Sequence, residues 1–226
     1  KQIADYEAAI ETMAHTEAVD SDRLVLWGYS FSGGHVLSVA AGRCDIAGVI
    51  ATAPFVDGRR ELTRSIQQPG RFVRSTLAGL RDALGSMVGR DYPVRLVDDP
   101  DGFGVIPVPG AKRAVLDAVA RDSAWDNRLP ARVFLAISAY RPITSVNEIR
   151  CPTLVIGGRD DTVAPAAWAA DAADRIPEST FIELPTDHLS VFDTDFERVV
   201  DRQLRFLRSV TGEQESVTAA TTTDNP

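Results

Sequence analysis

Short apolar runs that alternate with helical patterns are the feature that most constrains the fold of this chain. The runs LVLW, IAGVIATAPF and PTLVIGG begin at Leu24, Ile46 and Pro152, and glycine, serine or proline interrupts or follows each of them. Such runs are typical of strands that are buried on both faces of a parallel sheet. The order is helix, strand, helix, strand, inserted segment, strand, helix, strand, helix. It predicts an α/β fold with a parallel sheet and right-handed crossovers.

The inserted segment, residues 59–148, separates two parts of the predicted core, residues 1–58 and 149–210. Short helices are expected at 116–119 and 133–140, while Pro and Gly are too frequent over 92–110 for a helix. One helical stripe faces either the protein body or a substrate pocket, with core packing as the default. It comprises Phe72, Val73, Leu77, Leu80, Leu84 and Val88. Residues 211–226 have little apolar content and are expected to form a disordered tail.

Charge and composition limit the classes of partner that we expect this protein to bind. The 226 residues carry a formal net charge of -8, which would repel nucleic acid phosphates and anionic membranes, so we expect neither as a partner. No apolar run is long enough to span a membrane, and no secretory signal is visible, so a cytoplasmic location is expected. Cys44 and Cys151 match no zinc site and are expected to be core thiols. We predict no metal and no cofactor.

The stretch RLVLWGYSFSGGHVL contains the candidate nucleophile. Ser30 stands between a predicted strand and a helix, with the small residues Gly28 and Ser32 two positions on either side, as an exposed nucleophile on a sharp turn requires. Ser32 is the alternative, but it would lie half a turn into the helix. The stretch could also be a helix-capping turn or a phosphate loop. A Walker loop would need lysine where His35 stands.

A serine needs a histidine as base and an acid that orients the imidazole. Of three histidines, His188 follows the strand TFIEL at the edge where open parallel sheets place their sites, whereas His15 is expected to be solvated and His35 structural. The loop GGRDDTVAP offers Asp160 and Asp161 after a strand. One of these can cap the next helix while the other points at the imidazole, and we favour Asp161.

Two further acidic positions complete the candidates. Asp57 follows the strand that ends at Phe55 and is the reserve acid, because a carboxylate on a neighbouring strand would reach the same imidazole. The acidic run at 98–102 lacks the alternate spacing of a calcium loop and is expected to be an ordinary turn.

Three motifs in this order resemble the α/β-hydrolase superfamily. LVLWGYSFSGG resembles its nucleophile elbow, PTLVIGGRDDTVAP its acid loop, and LPTDHLSVF its histidine loop. The resemblance covers residues 2–208 apart from the inserted segment, which takes the place of the family's cap. It implies a doubly wound, mostly parallel sheet of the α/β-hydrolase type with a largely helical cap insertion and a triad of Ser30, Asp161 and His188.

Relative to that family, the first four strands are missing, and we expect an N-terminally truncated core. The backbone N–H of Phe31, the residue after the nucleophile, is the oxyanion donor that the resemblance assigns; the loop carrying the second donor is absent. The strand before Ser30 would then expose an edge, so a missing N-terminal half or a second chain is expected to pair with it.

The resemblance implies hydrolysis of a small carboxylic ester, thioester or lactone through an acyl-enzyme. The expected partner is a small-molecule acyl substrate. Two alternatives stay open: a non-catalytic domain of the same fold that binds a small molecule or a partner chain, and an acyltransferase that uses the same triad.

Overall fold

The computed structural model describes residues 1–120 and 122–212. Helices and strands follow one another in an α/β order, with short 3-10 helices in several connections. They are α1 (Gln2–Ala14), β1 (Val25–Tyr29), α2 (Phe31–Ala40), β2 (Gly48–Thr52), α3 (Gly58–Ile66), α4 (Pro69–Ser86), β3 (Pro93–Val97), β4 (Gly104–Ile106), α5 (Ala111–Ala118), β5 (Leu129–Pro130), α6 (Val133–Ala136), β6 (Thr153–Gly158), α7 (Ala166–Arg175), β7 (Ser179–Leu184) and α8 (Phe196–Thr211).

A parallel sheet of four strands in the order β1-β2-β6-β7 forms the centre of the described chain. The register places Tyr29 opposite Thr52 and Gly158 opposite Leu184, so the strands end at a common edge. The loops that carry Ser30, Asp161 and His188 leave from this edge, where open α/β sheets bind their ligands. The predicted α/β fold with a mostly parallel sheet is confirmed.

Alternating side chains of β2 and β6 divide the core between the two faces of the sheet. Val49, Ala51 and Val155 belong to one apolar cluster, which also includes residues of α1, α2 and α7. Ile50, Leu154 and Ile156 point the other way and pack with residues of β7 and α8. Because every residue of β2 and β6 is buried, the strands can be apolar along their whole length, as the short apolar runs indicated.

The inserted segment contains strands as well as helices. β3 pairs with β4 in parallel and with β5 in antiparallel orientation, and this second sheet covers part of the region that sequence analysis described only as unsuited to a helix. Its small core consists of Ala78, Val94 and Ala131, with partly buried aromatic side chains around them. The predicted helix at 116–119 is the end of the longer α5.

The apolar stripe of α4 does not pack into a core, so that expectation was wrong. Leu77 and Leu84 are 61% and 67% exposed, and Val88, two residues beyond the end of α4, is 72% exposed. The helix packs instead through the face that carries Ala78, Gly79 and Asp82, because small residues allow a close approach: a Cβ at Gly79 would lie 2.7 Å from Leu135 Cγ. Of the predicted stripe, Phe72 lines a cavity described below.

Other expectations concern the surface and the ends of the chain. Cys151 is a core thiol, as predicted, but Cys44 is exposed, because it lies in the turn after α2. Within residues 1–120 and 122–212, β1 pairs only with β2, and Trp27 is half exposed. No helix among those residues is long and apolar enough to cross a membrane. The predicted tail lies mostly beyond the described residues, which end at Gly212, just after α8.

Candidate active site

The turn between β1 and α2 presents Ser30 in a strained conformation. Ser30 has φ 55° and ψ -120°, a backbone conformation that side-chain-bearing residues rarely adopt. The turn is tight enough that a Cβ at Gly28 would lie 2.3 Å from the backbone oxygen of Ser32. Glycine at position 28 is therefore a packing requirement of the turn, and the strained turn at Ser30 resembles a nucleophile elbow.

Ser32 holds the turn together and has no contact with a base. Its hydroxyl accepts a hydrogen bond from the backbone N–H of Tyr29 at 3.0 Å and donates one to the Tyr29 carbonyl at 2.8 Å. The side chain thus folds back onto the end of β1. This contact explains how serine replaces the glycine of the usual motif, and it leaves Ser30 as the candidate nucleophile.

A continuous hydrogen-bond chain joins the three residues that sequence analysis selected. His188 Nε2 lies 2.9 Å from Ser30 Oγ, and His188 Nδ1 lies 2.7 Å from Asp161 Oδ2. His188 and Asp161 are 4% and 5% exposed. A carboxylate accepts hydrogen bonds, so Nδ1 carries the proton in this arrangement and Nε2 is left to accept the serine proton.

The acid loop distinguishes Asp161 from its neighbour Asp160. The second carboxylate oxygen of Asp161 accepts hydrogen bonds from the backbone N–H groups of Val163 at 2.8 Å and Ala164 at 2.7 Å. Both oxygens are therefore used, one by the loop and one by the imidazole. The Asp160 side chain is exposed. The expectation that one aspartate caps the next helix while the other points at the imidazole was wrong: Asp161 makes both the loop and the imidazole contacts, and no side chain caps α7.

Asp57, the reserve acid, is buried and engaged elsewhere. Its carboxylate accepts hydrogen bonds from Arg141 at 2.8 and 3.2 Å and from the backbone N–H of Arg59 at 3.0 Å. Burial opposes ionisation of Asp57, but these hydrogen bonds, with the charges of Arg141 and Arg60, outweigh it and lower its pKa. Asp57 caps α3 and joins the two ends of the inserted segment, and it does not take the place of Asp161 beside His188.

Two residues that sequence analysis missed hold the His188 loop. Asp187 accepts hydrogen bonds from the backbone N–H groups of Leu189 and Ser190 and from the Ser190 hydroxyl. The Tyr29 hydroxyl donates a hydrogen bond to the His188 carbonyl, and the two rings lie 5.0 Å apart. Burial, with the charges of Asp161 and Asp187, raises the pKa of Tyr29, so its hydroxyl stays protonated and able to donate. The position of Tyr29 directly before Ser30 is the sequence feature that could have pointed to its role.

The remaining histidines lie away from this chain of contacts. His15, at the end of α1, is exposed and contacts the Glu11 carbonyl at 2.7 Å. His35 is 4% exposed, and its ring nitrogens lie 2.6 Å from the Tyr140 hydroxyl and 3.2 Å from Gln2 Oε1. Burial lowers the pKa of His35 and favours the neutral ring. Both positions agree with the expectations from the sequence.

A backbone donor lies next to Ser30. Phe31 is the first residue of α2, so its N–H has no acceptor within the helix. The helix N-terminus also carries a partial positive charge that favours a negative oxygen. The Phe31 ring packs against Tyr140, with 4.6 Å between the ring centroids, which holds this residue against the inserted segment.

Ser30 opens into a cavity of about 510 Å³ between the central sheet and the inserted segment. Apolar side chains from both parts form much of its wall, including Phe31, Phe55, Phe72, Val105, Leu129 and Phe134. The volume suits a small organic molecule whose polar group reaches Ser30.

In the part of the chain that the structure describes, no group of three or more His, Cys, Asp or Glu side chains is arranged to hold a metal ion. The acidic run at 98–102 is a turn that Asp98 closes, since its carboxylate accepts hydrogen bonds from the backbone N–H groups of Asp99 and Phe103 and from Arg95.

Comparison with known proteins places these features in a family. A family model described as "Alpha/beta hydrolase family" matches residues 2–202. The chain is 30% identical over 211 residues to the quorum-quenching protein AidA of Acinetobacter baumannii (strain MDR-ZJ06), with 92% of this chain and 69% of that protein covered. It is 27% identical over 216 residues to the polyketide transferase af380 of Aspergillus fumigatus, with 92% and 71% covered.

A solved structure supports the fold. The crystal structure of the alpha/beta hydrolase GrgF from Penicillium sp. sh18 superposes with a TM-score of 0.72 at 20% sequence identity. The match covers 93% of this chain and 72% of that one. At this identity the likeness concerns the fold alone.

Proposed function

The chain belongs to the alpha/beta hydrolase family, and from this premise we propose that it is a serine hydrolase of small acyl substrates. Ser30 is the proposed nucleophile, His188 the general base and acid, and Asp161 the residue that orients the imidazole. The substrates are carboxylic esters, thioesters or lactones. One observation carries the proposal: the hydrogen-bond chain from Ser30 through His188 to Asp161 ends at a strained turn that opens into an apolar cavity.

Acylation follows from the positions of these atoms. His188 Nε2 takes the proton of the Ser30 hydroxyl while Oγ attacks the substrate carbonyl carbon. The carbonyl oxygen becomes an oxyanion, to which the Phe31 N–H donates. The tetrahedral intermediate then collapses: the bond to the leaving oxygen or sulfur breaks, and His188 returns the proton to the leaving group. Asp161 stabilises the imidazolium that exists between these two transfers.

Deacylation repeats the same proton transfers with water. His188 removes a proton from a water molecule, the hydroxide oxygen attacks the acyl carbon, and the bond to Ser30 Oγ breaks. His188 gives its proton to Oγ, so the free serine is restored and a carboxylic acid leaves. No cofactor enters this sequence of steps.

Acyl transfer is the second candidate function. It uses the same acyl-enzyme, but an alcohol, amine or thiol attacks in place of water. The relative named polyketide transferase, at 27% identity, favours this candidate. The apolar wall beside Ser30 is compatible with it, because a site that excludes water favours a bound acceptor over hydrolysis.

Labelling with a fluorophosphonate probe, followed by peptide mapping, tests the proposal. The probe forms a bond with an activated serine, so we expect label on Ser30 that is lost in Ser30→Ala and His188→Ala. Ser75→Ala is the matched control, because Ser75 lines the same cavity without contacting His188. Ser30 should still be labelled in this variant. Product analysis with and without an added alcohol or amine then separates hydrolysis from transfer.

Other results of this experiment lead to other conclusions. Label on Ser32 would mean that the proposed nucleophile is wrong. A folded protein that takes no label and cleaves no ester would favour a binding domain of the same fold, which should keep its ligand after Ser30→Ala.

A further inference from the structure

The charged side chains that line the cavity beside Ser30 are not balanced. The cavity wall contains two acids and three arginines. Glu61 and Arg64 lie 3.3 Å apart, and Asp126 and Arg128 lie 3.4 Å apart. Within residues 1–120 and 122–212, Arg71 forms no ion pair with a carboxylate. The cavity wall therefore carries one more positive than negative side chain, and Glu61 acts on Arg71 only from beyond ion-pair distance.

Arg64, by contrast, is committed to the structure around it. Besides Glu61, it donates hydrogen bonds to the carbonyls of Thr162 at 2.8 Å and Val163 at 3.5 Å, and its guanidinium lies over the Trp168 ring. These contacts tie α3 to the loop that follows Asp161. A ligand would have to displace several of them to use Arg64.

Arg71 is held in place but retains free donors. It lies on the first turn of α4, is half-buried, and donates a hydrogen bond from Nη2 to the carbonyl of Gly104. A guanidinium has five N–H donors, so one such contact fixes its direction and leaves others for a ligand. Burial, with the nearby charge of Arg74, lowers the pKa of Arg71, and the charge of Glu61 opposes this only in part.

We propose that Arg71 binds an anionic group on the acyl chain, so that the protein prefers acyl groups bearing a carboxylate to neutral ones of equal length. The inference rests on the proposed function, because it places the acyl group of the Ser30 ester in this cavity. A carboxylate would accept paired hydrogen bonds from the guanidinium. Apolar wall residues such as Phe72, Val105 and Phe134 would contact the methylene groups between the carboxylate and the ester.

The net negative charge of the whole molecule works against an acidic substrate, so it cannot be the source of this preference. The formal net charge is -8, so long-range electrostatics disfavour the approach of an anion. Any preference for an acidic substrate would therefore have to come from a local contact. At raised salt the long-range repulsion is screened, whereas a desolvated pair with Arg71 is screened less.

The test uses p-nitrophenyl monoesters of dicarboxylic acids from glutaric to sebacic acid, each compared with its neutral ω-methyl ester. We expect the best acidic ester to exceed its neutral counterpart in kcat/KM by about tenfold or more, the effect of a hydrogen bond to a charged group. Arg71→Met should reduce this ratio to about one, and Arg71→Lys should retain part of it.

Two controls accompany these variants. Arg81→Met removes another arginine of α4, whose guanidinium lies over the Tyr92 ring and does not line the cavity, and should leave the ratio unchanged. Fluorophosphonate labelling of every variant reports whether Ser30 is still active. On the Ser30→Ala background, which cannot form an acyl-enzyme, calorimetry compares the binding of monomethyl suberate with that of dimethyl suberate.

The outcomes separate the inference from the function on which it rests. Equal kcat/KM for acidic and neutral esters in a protein that labels normally overturns the inference alone, as does a preference that survives Arg71→Met. A protein that neither labels nor hydrolyses contradicts the proposed function. In that case, tighter binding of the monoacid to Ser30→Ala, lost on adding Arg71→Met, supports the inference, and equal binding overturns it.

Discussion

Asp160 and Asp161 are adjacent in the sequence, yet their surroundings differ completely. Asp161 is buried with both carboxylate oxygens in use, while the Asp160 side chain is exposed. A one-residue difference in a loop changes which direction a short side chain points. The role of each aspartate therefore depends on the backbone of this loop, which the Val163 and Ala164 N–H groups fix by binding Asp161.

Asp161→Asn should lower kcat for ester hydrolysis by about a thousandfold to ten thousandfold, because an amide can hold the imidazole in the wrong tautomer. Asp160→Asn makes the same chemical change one residue away and should stay within about twofold of the wild type, since surface substitutions change little. Steady-state kinetics on a p-nitrophenyl ester measures both variants. Equal losses in the two variants would contradict the assignment of the acid.

Tyr29 is the residue that links the elbow to the His188 loop. Tyr29→Phe removes the hydrogen bond to the His188 carbonyl but keeps the ring contact. The net free energy of one such hydrogen bond predicts a fall in kcat of about twofold to tenfold. KM should change little, because the variant affects the position of the imidazole.

Tyr92→Phe serves as the control for this prediction. Tyr92 lies in the inserted segment, where its ring contacts Arg81, and loss of its hydroxyl should leave kcat unchanged. An increase in KM without a change in kcat for Tyr29→Phe would instead indicate a role in substrate binding.

The elements of the inserted segment are joined by a buried carboxylate. Asp82, on α4, is fully buried and accepts hydrogen bonds from the backbone N–H groups of Tyr92 at 2.6 Å and Arg132 at 3.0 Å. The Arg132 guanidinium, 3.0 Å away, completes the site. One side chain thus connects α4 to the residues just before β3 and after β5, which explains an acid on the packed face of this helix.

Asp82→Ala should reduce the free energy of unfolding by about 2–4 kcal/mol, because two backbone N–H groups and a guanidinium lose their acceptor. Asp82→Asn keeps one acceptor oxygen and should cost less. Asp91→Ala is the matched control: Asp91 pairs with the same arginine but is exposed, so the change should stay below about 1 kcal/mol. Urea unfolding measures all three variants, and equal costs for Asp82→Ala and Asp91→Ala would contradict this account.

At the scale of the whole molecule, three buried acids near the inserted segment make stability depend on pH. Burial opposes ionisation of Asp57, Asp82 and Asp98, but hydrogen bonds and arginine charges outweigh it and lower the pKa of each carboxyl. The unfolded chain then binds protons more readily than the folded one. This contribution is present above the unfolded pKa of about 3.9 and is lost as pH falls through the lower folded values.

We therefore expect the free energy of unfolding to decrease steadily as pH falls below about 4. Urea unfolding between pH 6 and pH 3 measures the slope. Asp98→Asn should make the slope shallower, because it removes one of the three groups. A stability that stays constant from pH 5 to pH 3 would disagree with this prediction.

The α/β order of the core and the candidate triad followed from the sequence, because both depend on local signals. Continuous apolar runs mark strands buried on both faces, and parallel strands bring the residues that follow them to one edge. Ser30, Asp161 and His188 each follow such a strand. Their meeting point was predictable without knowledge of any individual contact.

Tertiary structure alone decided the contacts that depend on distant residues. The α4 stripe is exposed because Asp82, Ala78 and Gly79 fit the second sheet and α6 better than leucines would. Among the residues that the structure describes, Arg71 has no carboxylate in ion-pair contact, because Glu61 and Asp126 lie closer to other arginines. Periodicity shows which residues share a face, but the shape and charge of the opposing surface determine whether that face is buried and whether a charge in it finds a partner.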